Sequence, residues 1–118
     1  MRIHHVAFRT RDLDRLERFY VGVLGLAVLR RTEHRSLWLD AAGTIVMLER
    51  SEPDEADIEP ESKELVCFAL APHERPVLQQ RLETAGVPIE ARTSYTLYFR
   101  DPDGRRVGLS SYPSELES

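Results

Sequence analysis

The chain lacks the features that mark several large classes of protein. Its 118 residues include one cysteine, Cys67, so an internal disulfide is excluded and a reducing compartment is expected. No apolar run approaches the roughly 20 residues that cross a bilayer, and the opening MRIHHVAF lacks the continuous apolar region of a signal peptide. The net charge of −4 gives no electrostatic reason to expect a nucleic acid or an anionic membrane as partner. The sequence therefore predicts a cytoplasmic protein.

What the chain does contain is typical of one small globular domain. Its length is sufficient to bury a core without disulfide or metal staples. The composition, 42% apolar and 31% charged, is that of a folded protein rather than a disordered one. We therefore expect a single domain over 1–118.

An internal repeat organises this domain. HVAF at 5–8 matches LVCF at 65–68, sixty residues later, and LGLAVLRR at 24–31 matches AGVPIEAR at 85–92, sixty-one residues later. Each half begins with a strand-like alternation, continues with a helical stripe that ends at a glycine, and closes with three short strand-like runs. The repeat predicts two βαβββ modules. Module one is 1–50, a solvated acidic linker is 51–62, module two is 63–112 and a tail is 113–118.

Alternation along the strands assigns their side chains to two faces. One face is wholly apolar and is predicted to pack beneath the helices; it carries Val6, Phe8, Val46, Leu48, Val66, Phe68, Val107 and Leu109. The opposite face is mixed and carries His5, Ala7, Arg9, Ile45, Met47, Glu49, Leu65, Cys67, Ala69, Arg106, Gly108 and Ser110. A mixed inner face of a curved sheet is where a small-molecule site would form. Gly108, inside the last strand, indicates either a close approach by another group or a lost side chain.

Three segments together carry a family resemblance: HHVAF at 4–8, FYVGVLG at 19–25 after an Asp, and YFRDPDGRRVGL at 98–109. In this order they resemble the vicinal oxygen chelate superfamily, which includes glyoxalase I, extradiol dioxygenases, fosfomycin-resistance transferases and bleomycin-resistance proteins. The resemblance extends from Met1 to Tyr112. It implies an α+β fold of two βαβββ modules, whose mixed sheets curve into a cup, and a homodimeric assembly.

The resemblance also implies where metal-dependent members hold a divalent ion. Those positions are occupied here by His5, Met47, Leu65 and Gly108. Only His5 offers a nitrogen or oxygen donor, so the family's metal site is predicted to be lost and no cofactor is expected. A divalent metal held by a non-standard set, such as His5 and Glu49 plus a residue of a partner chain, is the alternative. The simpler interpretation is that Glu49 ends an edge strand and pairs with an arginine. His4 alternates to the face opposite His5, so the two histidines are not expected to pair.

The predicted ligand-binding residues are His5, Met47, Glu49, Cys67, Arg106 and Gly108. Arg106 either offers its guanidinium to an anionic ligand group or is an exposed strand arginine. Cys67 could be a reactive thiol, but without a neighbouring base it fits better as a small buried hydrophobe. Trp38, Tyr95 and Tyr98, on the middle strands, either stack against a flat ligand or serve as packing or dimer contacts.

Three classes of function follow, and the sequence leaves open whether the protein is an enzyme. The first is a metal-free protein that binds a small organic molecule in the cup, as the bleomycin-resistance branch does, with Met47 adaptable and Gly108 opening volume. The second is a glyoxalase-like or dioxygenase-like lyase, isomerase or oxygenase, with a non-standard metal or with His5 as a general base. The third is a module that serves only dimerisation or regulation.

Overall fold

The computed structural model describes residues 1–33 and 35–113, which form two compact units. The first unit is Met1–Asp57 and the second begins at Ile58. Each unit contains a four-stranded mixed sheet and a helical segment, so the predicted α+β fold of two βαβββ modules is confirmed. Of the predicted tail, residues 114–118 lie outside the described residues.

The first unit follows the predicted order of elements. They are β1 (His5–Thr10), α1 (Leu13–Glu17), a π-helical segment (Arg18–Val23), β2 (Ala27–Thr32), β3 (Ser36–Ala41) and β4 (Thr44–Arg50). The strand order is β1-β4-β3-β2, with β1 parallel to β4 and the other pairs antiparallel. Strand β4 is therefore an interior strand, and the expectation that Glu49 ends an edge strand was wrong.

The second unit repeats this topology. Its elements are β5 (Leu65–Ala69), a 3₁₀ turn (Pro72–Glu74), α2 (Arg75–Thr84), β6 (Ala91–Arg92), β7 (Thr96–Arg100) and β8 (Arg106–Ser110). The strand order is β5-β8-β7-β6, with β5 parallel to β8. The segment 87–92, where the repeat predicts a strand, forms only the two residues of β6, because Pro88 has no N–H to donate and restricts the residue before it.

The helix boundaries arise from local chemistry that the sequence predicts. The Asp12 carboxylate accepts a hydrogen bond from the Arg15 N–H at 3.0 Å and caps α1. Gly25 and Gly86 end the two helical segments at φ of +85° and +75°, a region that favours glycine. The first segment is not one α-helix as expected: the Leu24 N–H donates to the Phe19 carbonyl, five residues back, at 3.0 Å.

The apolar faces predicted from alternation form the two cores. Beneath α1 and the π-helical segment, the Phe8 ring lies 5.5 Å from the Tyr20 ring, and Tyr20 is completely buried. The fully or almost fully buried strand residues are Val46, Leu48, Leu37 and Leu39 in the first sheet and Val107, Leu109, Leu97 and Phe99 in the second. Each contributes about 1.5–3 kcal/mol through removal of its side chain from water.

The acidic linker is exposed along most of its length, as expected, but two arginines attach it to the end of β1. The Arg9 guanidinium donates to both Glu55 carboxylate oxygens, at 2.9 and 3.0 Å, and this hydrogen bonding lowers the pKa of Glu55. Arg11 donates to Asp57 at 2.7 Å and to the Pro53 carbonyl at 3.3 Å. In the part of the chain that the structure describes, no helix has both the length and the apolar character needed to cross a membrane.

Candidate ligand-binding faces

Each sheet turns one face away from its helix, and we call this the open face. In the first sheet, strand register aligns Ala7 with Met47 and Met47 with Trp38, which form the middle row of the open face. The Arg30 guanidinium carbon lies 5.6 Å from the centroid of the Trp38 ring, within the range of a cation–π contact. This row therefore offers an adaptable thioether beside an aromatic plane with a cation over it.

His5 lies on the same open face, one row away, where it is aligned with Ile45. Its Nδ1 is 2.9 Å from the Nδ1 of His4, and the two rings meet edge to face with centroids 5.2 Å apart. The expectation that the two histidines do not pair was wrong, because β1 begins at His5 and strand alternation does not extend back to His4. At this distance one ring donates the hydrogen bond and the other accepts it.

Glu49 is placed by strand register away from His5. The carboxylate pairs with Arg9 at 3.4 Å, as the simpler interpretation of Glu49 predicted. His5 is aligned with Ile45, four residues before Glu49, which at about 3.3 Å per residue separates the two positions by roughly 13 Å. Within one chain, strand register therefore keeps these two side chains apart.

In the second sheet the middle row of the open face consists of Cys67, Gly108 and Tyr98. The expectation that Tyr95 lies on a middle strand was wrong, because β7 begins at Thr96 and the Tyr95 ring meets that of Tyr112 edge to face. A Cβ atom placed on Gly108 would lie 2.9 Å from the Cys67 sulfur, closer than real Cβ contacts. The glycine thus permits the close approach of Cys67, and the expectation that Gly108 opens volume for a ligand was wrong at this point. Cys67 is exposed, so the expectation that it is a small buried hydrophobe was wrong. Partial desolvation still raises the pKa of its thiol, which makes it a poor nucleophile at neutral pH.

Arg106 does lie on the open face of the second sheet, but its guanidinium is already engaged. Its Nε donates to one Glu90 oxygen at 2.9 Å, while Arg100 donates to the other at the same distance. The Arg106 guanidinium carbon also lies 4.4 Å from the centroid of the Tyr98 ring. These hydrogen bonds, that of Arg106 first, lower the pKa of Glu90. A ligand anion would therefore compete with Glu90 for Arg106.

Glu90 is the open-face residue that sequence reasoning missed. It directly precedes β6, and its N–H donates to the Tyr98 carbonyl at 2.7 Å. This bond fixes the backbone at Glu90 in a position from which its carboxylate reaches Arg100 and Arg106. The only sign of this role in the sequence is that Glu90 stands within AGVPIEAR at the position where the matching segment of the first module has the apolar residue Leu29.

The four positions of the family metal site do not supply a donor set in this chain. His5 brings an imidazole that already contacts His4, and the Met47 thioether is a poor ligand for a hard or borderline cation. Leu65 has no donor atom, and the Cys67 sulfur occupies the space into which a side chain at Gly108 would project. Among residues 1–33 and 35–113, no group of three or more His, Cys, Asp or Glu side chains could hold a metal ion. The residues present therefore do not fit a divalent ion at these positions.

Comparison with known families accounts for this architecture. Residues 2–109 match the family model described as the Glyoxalase/Bleomycin resistance protein/Dioxygenase superfamily. The match covers both units and all eight strands up to Leu109.

Solved structures share the fold over nearly the whole chain. A glyoxalase/dioxygenase from Nostoc punctiforme is 21% identical, with a TM-score of 0.79 over 92% of this chain and 88% of that one. A lactoylglutathione lyase from Agrobacterium tumefaciens is 23% identical, with a TM-score of 0.73 over 92% of each chain. The fosfomycin resistance protein FosX from Listeria monocytogenes, solved with Mn(II) and a dihydroxypropylphosphonic acid, is 16% identical, with a TM-score of 0.76 over 96% of this chain and 91% of that one. At these identities the likeness establishes the fold alone.

Proposed function

The chain belongs to the Glyoxalase/Bleomycin resistance protein/Dioxygenase superfamily, and on that premise we propose that it binds a small organic molecule on its open faces without a divalent metal. The proposed contact residues are His5, Met47 and Glu49 on the first sheet and Cys67, Arg106 and Gly108 on the second. Binding of this kind needs shape and a few polar anchors, and it needs no catalytic group. A homodimer in the cytoplasm remains the expected state.

The observation that carries the proposal is the donor set. A divalent ion in a protein is usually held by three or more nitrogen, oxygen or thiolate ligands. Of the family positions, one retains such a donor. Register places Asp40 two strands away in the row of His5, and Glu49 four residues along the strand from that row. A ligand would therefore be held by side-chain contacts.

The middle rows of the open faces support an organic ligand with a planar part. Trp38 and Tyr98 each present a half-buried ring with a guanidinium group over it. An aromatic ring and a guanidinium both stack on flat conjugated groups. Met47, beside Trp38, can change rotamer to fit ligands of different outline.

Metal analysis of protein purified without chelator, followed by a thermal-shift screen, tests the proposal. We expect less than one-tenth equivalent of Zn, Ni, Mn or Fe, and a screen of metabolites and antibiotics, including bleomycin and fosfomycin, should give a ligand that raises Tm. That increase should persist in EDTA and be lost in Tyr98→Leu or Trp38→Leu. Gln80→Ala, on the exposed side of α2, serves as the control and should keep it.

The opposite results would support the rival functions. A stoichiometric metal that disappears in His5→Ala would overturn the proposal in favour of a lyase, isomerase or oxygenase with a non-standard site. An absence of any stabilising ligand, combined with a stable dimer, would favour a module that serves dimerisation or regulation.

A further inference from the structure

A cavity lies at one end of the first sheet. It has a volume of about 400 Å³ and is lined by Arg11, Arg35, Arg50, Ser51, Glu52 and Pro53. We call it the arginine cavity. None of its lining residues belongs to the predicted ligand-binding set, and its chemistry differs from that of the open face.

Strand register explains why arginines meet at this place. Thr10 at the end of β1 is aligned with Arg50 at the end of β4, and Ser36 at the start of β3 is aligned with Glu49. The residues just beyond these aligned pairs, Arg11 and Arg35, therefore project from the same edge as Arg50.

The backbone holds these positions in place. The Arg50 N–H donates to the Arg35 carbonyl at 2.8 Å, and the Ser51 N–H donates to the Thr10 carbonyl at 2.8 Å. The ends of three adjacent strands are thereby tied together, and the linker residues that complete the lining are attached to them where Arg11 donates to the Pro53 carbonyl at 3.3 Å. A site assembled on strand ends loses little conformational entropy when a ligand binds.

The charge at the cavity favours an anion. Its lining contains three arginines and one carboxylate, Glu52, and Arg11 is also ion-paired with Asp57 at 2.7 Å, so the arginines outnumber these carboxylates by one. No described residue forms a hydrogen bond or ion pair with the Arg35 side chain. The Arg11 Nε donates to the Asp57 carboxylate, and its two terminal nitrogens each donate one hydrogen, to the Pro53 carbonyl and to the Glu55 carbonyl. A guanidinium has five N–H donors, so two of those on Arg11 remain available.

We propose that the arginine cavity is a binding site for a multiply charged oxyanion, namely the phosphate group of a small molecule. Guanidinium groups match the oxygens of a phosphate with paired hydrogen bonds, and the Ser51 hydroxyl at the rim adds a donor. The negative charge of the whole chain, −4, disfavours a long polyanion such as a nucleic acid. This site does not depend on the ligand proposed for the open faces.

Titration calorimetry with inorganic phosphate and with pyrophosphate, at low ionic strength, tests the proposal. We expect saturable binding, tighter for pyrophosphate because it carries more charge, and weaker in salt. Arg35→Gln and Arg50→Gln should each weaken binding about tenfold, the effect of losing one charge-assisted contact. Arg35→Lys should recover part of the loss, since it restores the charge without the paired hydrogen bonds.

Arg18→Gln is the matched control, because it removes an exposed arginine of the same unit that lies outside the arginine cavity. It should bind both anions like the wild type, and circular dichroism should show that all variants are folded. Amide resonances of Ser51 and Glu52 should shift during the titration. Absence of saturable binding, or equal losses in Arg18→Gln and Arg35→Gln, would overturn the proposal. Tighter binding of an oligonucleotide, weakened alike by every arginine variant, would also overturn it.

Discussion

The middle row of the open face reads Ala7, Met47, Trp38 in the first sheet and Cys67, Gly108, Tyr98 in the second. In the first sheet a small residue on the outer strand stands beside a large one on the adjacent strand. In the second sheet a thiol stands beside a residue without a side chain, and a Cβ there would come within 2.9 Å of the sulfur. Equivalent rows of the two sheets therefore differ in which strand carries the larger side chain: the inner strand β4 in the first sheet and the outer strand β5 in the second.

The next row differs in charge rather than in volume. In the first sheet it consists of His5, Ile45 and Asp40, and in the second of Leu65, Arg106 and Arg100. The two arginines are held by Glu90, for which the matching segment of the first module has an apolar residue.

The buried faces show no such divergence. Val46 and Leu48 in β4 correspond to Val107 and Leu109 in β8, and none of the four is more than 5% exposed. The comparison teaches that the fold of each unit depends on its buried face, whereas the open face is free to carry different chemistry. Three changes test how far this separation holds.

The largest effect is expected in the buried faces. Leu48→Ala and Leu109→Ala should each lower the free energy of unfolding by about 2–5 kcal/mol, because each leaves a cavity between packed strand residues. The single tryptophan, Trp38, lies in the first unit. Urea denaturation followed by its fluorescence and by circular dichroism therefore reports on the first unit and on the whole chain.

Met47→Ala, a substitution of the half-buried neighbour of Leu48 on the open face, is the control for these core variants and should cost less than about 2 kcal/mol. If Leu109→Ala were also that mild, the two buried faces would not be equivalent and the comparison would fail.

The features that the sequence predicted are those set by local pattern. Apolar alternation identified the buried faces, and the glycines at positive φ, Gly25 and Gly86, marked the helix ends. The repeat gave the topology of both units because each module must bury its apolar face in the same way. Pattern also located His5, Met47, Cys67 and Gly108 on the open faces.

The features that the sequence did not predict depend on contacts between side chains far apart in the chain or on where a strand begins. No periodicity indicates that Glu90 binds both Arg100 and Arg106, ten and sixteen residues away. The pairing of His4 with His5 depends on where β1 begins, and strand boundaries are poorly determined by propensity. The contact between the Cys67 sulfur and Gly108 can be recognised only when the pairing register of β5 and β8 is known.

The second prediction concerns that contact between Cys67 and Gly108. Gly108→Ala should destabilise the protein by about 1–3 kcal/mol, because the new methyl group would overlap the sulfur. In a Cys67→Ala background the nearest atoms would be the residue-67 Cβ and a Leu65 methyl, both at 3.5 Å. There the same substitution should be neutral or stabilising, since alanine loses less backbone entropy than glycine on folding.

A double-mutant cycle measured by urea denaturation gives the coupling between the two residues. Additive effects of Cys67→Ala and Gly108→Ala would show that the thiol does not determine the need for glycine. The difference between the middle rows of the two sheets would then need another explanation.

The smallest effect is expected at Glu90, where the two sheets differ in charge. Hydrogen bonds from Arg106 and then Arg100 place the pKa of Glu90 below its ordinary value of 4.5. The folded state therefore binds the proton less tightly than the unfolded state, so the stabilisation is complete above pH 4.5 and is lost as the pH falls through the folded pKa. Glu90→Gln should lower Tm by about 2–4 °C at neutral pH.

The Tm difference between the wild type and Glu90→Gln should be constant at neutral pH, begin to shrink near pH 4.5 and continue to shrink at lower pH. Glu64→Gln is the control, since no described arginine pairs with Glu64, and its Tm difference should be small throughout. A Glu90→Gln difference that grew on acidification would mean that the carboxylate is not stabilised in its charged form. Ion pairing of Glu90 with Arg106 and Arg100 would then not stabilise the second sheet, although the side chains lie in contact.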